Sequence, residues 1–528
     1  MITVSDAWKL KQRDRLAPEG FVEISYLVSE DGLQAEAVAS SNDKTVFSDL
    51  DTVTIIDADR TYPKYATMEL NQWLLDGSSS LLGAGGPYEN AGFVSNTFCD
   101  NGDPVFTMSL PVVHAQPIQG ITITWSTEYN EFATRFKVTA YRGSTVVATT
   151  TVTGNTDVVS TVALDMANYD SVVIQVFDWC LPYRRARIEQ VVLGIYVTYT
   201  KAELISYSHE QEGCMVAGEL PKNSITFSLE NSSGLWNPLN PDGYVKFLAE
   251  RQQIQVRYGF DIDGTVEWIK AGKFYLSEWS TPSNGLTATF TARDMLEFIM
   301  DVPYTGIKSG TLYDIVSAVV AEADLPYGAE VYIDSILQGV EVDFSADTST
   351  YTQAEVIQMA ANAGSCVIYQ DRDGVLRIEP MKATLSGYNI TENESYSYPE
   401  VTLSKPLKAV KVSYGEESYT LDVGAVGEVQ TVDNPLITTE VGASRVAKWV
   451  ASILEERHTI SGSFRADPRL DICDKVAVDS KYGVANAVVI TNIKYEFTGA
   501  FKGTYTGRVT KFDPVPAAYC GELYAGEA

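Results

Sequence analysis

Alternation of apolar and polar positions dominates the chain. Phe21, Glu23 and Ser25 alternate with Val22, Ile24 and Tyr26, which predicts a strand, and a short helix from Asp6 precedes it. "TVTIIDA" (52–58) reads as another short strand. "YATMELNQWLLDGS" closes on Asp76-Gly77 and runs into "SSSLLGAGGPYENAG", a Gly/Ser-rich stretch that predicts a linker and a domain boundary. From about 92 to 199 the pattern is nearly all β. "GITITWST" sets Ile121, Ile123 and Trp125 on one face and Thr122 and Thr124 on the other. "RFKVTAYRGSTVVATTTVTGN" reads as a hairpin turning at Arg142-Gly143-Ser144, and "SVVIQVFDW" and "IEQVVLGIYVTYT" add strands. Short, evenly spaced strands of this kind suggest a β-sandwich or jelly roll.

Around 200–300 strands are joined by polar turns, with Asp263-Gly264 and Asn284-Gly285 as turn dipeptides, and the expected form is a barrel or curled sheet. Helices enter from 303 to 400. Thr311 with Asp314 makes a capping box ahead of Leu312, Ile315, Val316 and Val319. A second helix starts near Thr352, with Glu355 three later, and stops at Gly364. "CVIYQDRDGVLRIEP" is a hairpin turning at Asp373-Gly374. Strands return over 401–513 around one helix whose face carries Val446, Trp449, Val450 and Ile453. The fold class expected is mainly β with α+β. A first barrel is split into 1–77 and 200–302 by an inserted β-sandwich (78–199). A middle α+β domain (303–400), a second barrel with one helix (401–513) and a C-terminal tail (514–528) follow.

Composition narrows the chemistry. The 528 residues fit three or four domains at roughly 150 residues each. Hydrophobics at 45% and a mean hydropathy of −0.06 fit packed cores rather than disorder. No run approaches the ~18 apolar residues a membrane helix needs, and no basic region followed by an apolar core marks a secretory signal. Six cysteines without a CxxC pattern suggest unpaired thiols in a reducing cytosol. A net charge of −30 disfavours tight nucleic-acid binding, which uses Lys and Arg to displace counterions. It suits a surface past which DNA moves without sticking, and it also serves solubility.

No catalytic constellation emerges. His114, His209 and His458 lie in three blocks, "HEQEG" (209–213) lacks the second histidine of HExxH, and neither GxSxG nor GxxxxGK[ST] occurs. "DIDG" (261–264) and "DRDG" (371–374) sit between strands and read as hairpin turns rather than calcium loops. "CDNGD" (99–103) is the better loop for a cation, yet no metal and no cofactor is expected. Sugar binding is easier to motivate, since aromatic faces with orienting polar groups hold sugars. "DWCLPYRRARIEQ" (178–190) gathers Trp179, Tyr183, Arg184, Arg185 and Arg187, and Trp125 and Tyr129 lie nearby in the same sandwich. The same residues also read as structure: Trp125 alternates with Ile123 as core residues do, and Arg187 and Glu189 share a strand face and would pair.

The opening "SDAWKLKQRDRLAPEGFVEISYLV" resembles the start of tail hub (baseplate hub or tail-tip) proteins of long-tailed bacteriophages of Gram-positive hosts. "NSITFSLENSSGLWNPLNPDGYVKFLAERQQIQVRYGFDIDGTVEWIKAGKFYLSEWSTPSNGLTATFTARDMLEF" is similar to the same family. "AANAGSCVIYQDRDGVLRIEP" resembles its middle domain, and "GSFRADPRLDICDKVAVDS" a strand pair of its second barrel. The resemblance covers nearly everything except the insertion, which is similar, more faintly, to galactose-binding-like, discoidin-type jelly rolls. It implies a homotrimeric structural protein of the virion tail tip, made in the bacterial cytoplasm, whose ring continues the tail tube as a DNA conduit. The implied partners are distal tail and tail tube proteins, the tape measure protein, and tail fibres or receptor-binding proteins. Host surface glycans would meet the insertion. The alternatives are a cell-wall polysaccharide hydrolase and a free carbohydrate-binding protein.

Overall fold

The computed structural model describes the chain apart from residues 1, 15–16, 29–31, 57–64, 73–75, 78–90, 116–117, 238, 241–250, 283–284, 327–328, 344–349, 382–387, 482–485 and 510–528. The expected linker, Asn284 of one turn and the C-terminal tail therefore lie outside the described residues. The fold is mainly β, as the alternation predicts. The chain forms two compact units, Met1–Ser25 with Thr198–Ala528, and Tyr26–Val197. Among the described residues no helix is long and apolar enough to cross a membrane.

The first unit is built on one sheet. Its strands are Gly20–Val28 (β1), Ile195–Tyr199 (β2), Leu204–Glu212 (β3), Lys222–Glu230 (β4), Gln253–Ile262 (β5), Thr265–Ser280 (β6), Thr287–Arg293 (β7), Asn389–Ile390 (β8), Glu400–Leu403 (β9), His458–Phe464 (β10), Lys475–Val478 (β11), Asn486–Phe497 (β12) and Phe501–Val509 (β13). The order is β2-β1-β5-β6-β7-β4-β3-β12-β13-β10-β9, with β11 on β12 and β8 on β11. The two segments expected as separate barrels thus share a sheet, joined where β3 pairs antiparallel with β12 from Tyr207↔Phe497 to Glu212↔Asn492. Period-two alternation puts Tyr207 and His209 of β3, Ile225, Phe227 and Leu229 of β4, and Tyr495 and Tyr505 of β12 and β13 inside. The β5–β6 hairpin turns at Asp263-Gly264, both with positive φ (55° and 91°), as this dipeptide favours.

A second core packs the helices. Thr311 and Thr352 cap Leu312–Glu322 and Gln353–Ala363 in complete capping boxes with Asp314 and Glu355. Leu312, Ile315, Val316 and Val319 are fully buried in a cluster that continues through Ile357, Ile378, Val410 and Val412 to Val446 and Val450. The α+β core therefore extends beyond residue 400. It takes in the three-stranded sheet of Leu407–Tyr414, Glu417–Asp422 and Glu428–Val432 and the helix Glu440–Leu454.

The second unit closes a five-stranded and a three-stranded sheet on one core containing Ile121, Ile123, Trp125, Phe136, Ile174 and Val191. The hairpin turns at Gly143, as expected (φ 59°). "TVTIIDA" is a correction: Asp51–Thr54 is a 3-10 turn, and residues 57–58 lie outside the described residues. Thr52 Oγ1 donates to Asp49 O at 2.9 Å and Thr54 Oγ1 to Asp51 O at 3.3 Å, so the hydroxyls favour the turn while Val53 is buried.

At the centre of the large sheet lies a buried polar chain. His209 Nε2 faces Asn223 Oδ1 at 2.8 Å, an acceptor only, so Nε2 carries the proton. In the neutral ring Nδ1 then accepts from the Tyr258 hydroxyl at 2.7 Å, and the Tyr207 hydroxyl donates to Tyr258 at 2.8 Å. Burial holds the His209 pKa down to about 4. Asp294, which receives Leu296 N–H at the start of a 3-10 turn, is pushed up by burial to about 7. The signs are opposite. His209 contributes stability that is present above pH ~6.5 and lost as pH falls towards 4, about 3 kcal/mol in all. Asp294 contributes stability that is present below pH ~4 and lost as pH rises through 7, about 4 kcal/mol. Between pH 4 and 6.5 the two slopes cancel. Asp294→Asn keeps a capping side chain and should abolish the alkaline loss while exposing the acid one. Urea unfolding from pH 4.5 to 8.5 checks this, and parallel profiles for the two proteins would refute it.

Candidate functional site

The arginine-rich strand builds an internal ion-pair knot. Arg185–Ile188 pairs antiparallel with Phe93–Phe98, and the segment 66–72 lies against both through the arginines. Arg187 grips Glu69 with both terminal nitrogens, Nη1 to Oε1 at 2.6 Å and Nη2 to Oε2, and Nη2 also donates to Gln72 Oε1 at 3.2 Å. Thr67 Oγ1 and the Arg185 N–H complete the Glu69 carboxylate at 2.5 and 2.8 Å. Arg184 donates from Nε to Glu131 Oε1 at 2.8 Å and from Nη1 to Leu70 O, while Trp179 Nε1 reaches Glu131 Oε2 at 2.9 Å. Arg185 donates to Thr67 O (2.9 Å), Ser95 O (3.1 Å) and Asn96 O, and lies 4.2 Å from the centre of the Phe98 ring. Burial pushes the Glu69 carboxyl up, yet Arg187 and the surrounding donors hold it below the usual carboxylate range.

The seven residues proposed to bind carbohydrate are therefore placed unequally. Trp125 is fully enclosed, its Nε1 donating to Ser160 Oγ at 2.8 Å and its ring edge-on to Phe136 and Trp179. Trp179, Arg184 and Arg187 are buried and Arg185 half-buried. Tyr129 lies half-buried with the Arg187 guanidinium 5.2 Å from its ring centre. Tyr183 alone among them is largely open, at 60% exposure, on a left-handed turn (φ 56°) held by Asp100. The cavity beside Arg187 and Tyr129 has about 40 Å³, room for a water molecule. The expected Arg187–Glu189 pair is corrected. Arg187 turns to Glu69, 118 residues earlier, and Glu189 accepts from Thr127 N (2.8 Å) and Oγ1 (2.7 Å). Sequence reasoning missed Glu69 and Glu131. The available signal was a single acid inside the apolar run "YATMELNQW".

The other acidic loops are engaged locally. Asp261 and Asp371 accept backbone N–H groups of their own turns, and Asp103 of "CDNGD" accepts from Gln175.

The solvent face of the large sheet is a second candidate. Cross-strand neighbours on it run Thr291–Thr226–Ser208–Glu496–Lys502 and Arg293–Ser224–Glu210–Lys494–Thr504–Ser463. Glu212–Asn492–Thr506–Ser461–Glu400 forms a third row. Seven adjacent strands thus present a hydroxyl-rich surface. Its acids Glu210, Glu212, Glu230, Glu400 and Glu496 are matched in number by Lys222, Arg293, Lys494, Lys502 and Arg508. Lys222 pairs with Glu212 at 3.0 Å and Lys494 with Glu496 at 3.1 Å. Acids and bases thus balance on these strands, and exposed Glu278, opposite Thr291 on β6, adds one acid at the edge.

No protein-family model and no curated protein matches the chain. Among solved structures it is similar to the 43 kDa tail protein of prophage MuSo2 from Shewanella oneidensis. That likeness has 14% identity over 59% of this chain and 94% of that one, with a TM-score of 0.42. It is also similar to a tail protein from Neisseria meningitidis MC58 (12%, 60% and 93%, TM-score 0.41). A third is prophage tail protein gp18 from Listeria monocytogenes EGD-e (12%, 63% and 96%, TM-score 0.41). Each likeness is partial and of low identity, and none assigns a role to a residue of this chain.

Removing one side of the knot strands a buried charge. Glu69→Ala should cost about 3–5 kcal/mol, whereas Glu69→Leu with Arg187→Met should recover most of it. Urea unfolding measures both. A loss below about 1 kcal/mol for the single variant would mark the pair as an ordinary surface contact.

Proposed function

We propose that the chain is a structural tail-tip hub protein of a bacteriophage, which assembles as a trimeric ring and continues the tail tube as a passage for DNA. The observation that carries this reading is the hydroxyl-rich, charge-balanced face that crosses both halves of the large sheet. A duplex is held by cations that displace its counterions. Here Lys222 and Lys494 are occupied by neighbouring carboxylates, so the face offers a passing polyanion little to grip. The sequence stretches that resemble hub proteins include β4 and β7, which belong to this face. In the proposed setting the ring meets distal tail and tail tube proteins, the tape measure protein, and fibres or receptor-binding proteins. The domain division proposed keeps the sandwich as an insertion in the first barrel, with an α+β core that takes in residues of 407–454.

The second unit in this reading touches host-surface glycan. Tyr183 is the residue of the seven with an open ring, and it carries the proposal there.

Two experiments test the reading. In assembled particles, Ser208→Lys, Thr226→Lys and Thr504→Lys together should slow DNA delivery by about tenfold at low salt, with recovery at high salt. Glutamine at the same three positions should leave delivery unchanged. Equal delivery by the lysine particles, or images with this chain off the tail axis, would remove the conduit. For the glycan, Tyr183→Ala should weaken binding to host cells without lowering the unfolding midpoint. Release of reducing ends from host walls by the purified chain would instead favour the hydrolase.

A further inference from the structure

A cleft of about 380 Å³ opens in the first unit beside the helix Gln353–Ala363. That volume lies within the range of small-ligand sites, but the lining is polar where most such sites are apolar. Glu355, Gln358 and Asn362 line it from one helix face, at i, i+3 and i+7. Asp433 and Asn434 line it from the end of the strand Glu428–Val432, and Tyr351 forms part of the wall.

The amide groups decide what the cleft can recognise. Gln358 Nε2 donates to Ala217 O at 2.5 Å, and Asn362 Nδ2 to Val216 O at 2.8 Å. Asn434 Nδ2 donates to Met359 O at 2.7 Å and to Asn362 Oδ1 at 2.9 Å. All three are turned into the protein: those of Gln358 and Asn362 hold the loop around Ala217, a residue in the left-handed region (φ 44°), and those of Asn434 hold the helix. What they leave towards the cleft is acceptors. Glu355 uses Oε2 on the Thr352 N–H and keeps Oε1, while Gln358 keeps Oε1. The Asp433 carboxylate has no partner among the described residues. No Lys, Arg or His is among the described lining residues. A sugar hydroxyl offers donors and acceptors in equal measure and, apart from Gln430 and Thr431 on the exposed rim, would find few donors here. A guanidinium offers five N–H donors and no acceptor, carries the complementary charge, and stacks on aromatic rings.

We propose that this cleft receives the guanidinium of an arginine side chain presented by a neighbouring protein. The inference goes beyond the hub reading and does not depend on it. The probe is N-acetylarginine amide, titrated into the full chain at low ionic strength and followed by ligand-observed NMR. The uncharged isostere N-acetylcitrulline amide serves as control.

Glu355→Gln with Asp433→Asn removes both charges and keeps shape, since glutamine still caps the Thr352 N–H. This pair should weaken arginine binding by about tenfold or more. Thr431→Asp, which adds a carboxylate on the exposed rim, should tighten it, and that gain is readable even if the double variant is less stable. Glu341→Gln with Asp343→Asn, outside the cleft, should change nothing. The proposal is overturned if citrulline binds as well as arginine. It is equally overturned if the control pair loses as much as the cleft pair, or if Thr431→Asp leaves the affinity unchanged.

Discussion

The antiparallel pairing of β3 with β12 is the constraint on which the first unit depends. It joins residues 280 to 290 positions apart, from Glu212↔Asn492 to Tyr207↔Phe497, and makes one sheet of two halves. Because side chains alternate strictly, its register decides at once which residues fill the core and which form the polar face. A slip of β3 by one position would turn Ser208 inward and His209 outward. The core side of this seam is pinned by directed polar contacts. His209 lies opposite Tyr495. The Tyr495 hydroxyl reaches Leu470 O at 2.7 Å, and buried Arg372 joins Leu470 O and Asp471 at 2.9 Å each. Satisfied polar groups of this kind penalise alternative packings more sharply than apolar contacts, which tolerate rearrangement.

The ion-pair knot performs the same service in the second unit by other means. Segment 66–72 has little regular structure, and Met68 and Asn71 both sit at φ 62°, where non-glycine residues carry strain. Its carbonyls and its one acid are instead collected by Arg185 and Arg187 of a single strand and by Arg184 just before it. Arginine suits this role because its fixed fork reaches several acceptors at once. The gathering of cations in an acidic chain thus has a local structural cause, and the outward parts of the cluster are reduced to Tyr183 and the edge of Arg185.

Much of the fold was legible where a rule is local. The two capping boxes, the Asp263-Gly264 turn and the hairpin turn at Gly143 need only neighbours within a few residues. Trp125 was legible as core because it shares a period with Ile121 and Ile123. The failures involve distant partners. Nothing local distinguishes Glu69 from Glu189 as the partner of Arg187, and proximity in sequence favoured the wrong one. The turn at Asp51–Thr54 follows from burial of Val53 and hydroxyl bonds to the turn's own carbonyls, both of which override the β preference of Thr-Val-Thr. The link between the two expected barrels, rather than the barrels themselves, was also out of reach, because no hairpin signal announces the pairing of β3 with β12.

Charge is distributed with the same economy. The chain carries −30, yet the seven-strand polar face of the large sheet holds acids and bases in nearly equal number, two pairs of them joined. At physiological salt a charge is felt over about 8 Å. A polymer touching this face therefore meets its balanced local groups, while the acid excess elsewhere acts only at longer range and weakly. Chain-wide charge would by itself predict repulsion everywhere. The register of the sheet replaces that with a surface of short hydroxyl side chains, which neither repel nor hold, and sets the uncompensated acceptors apart in the cleft beside Gln358.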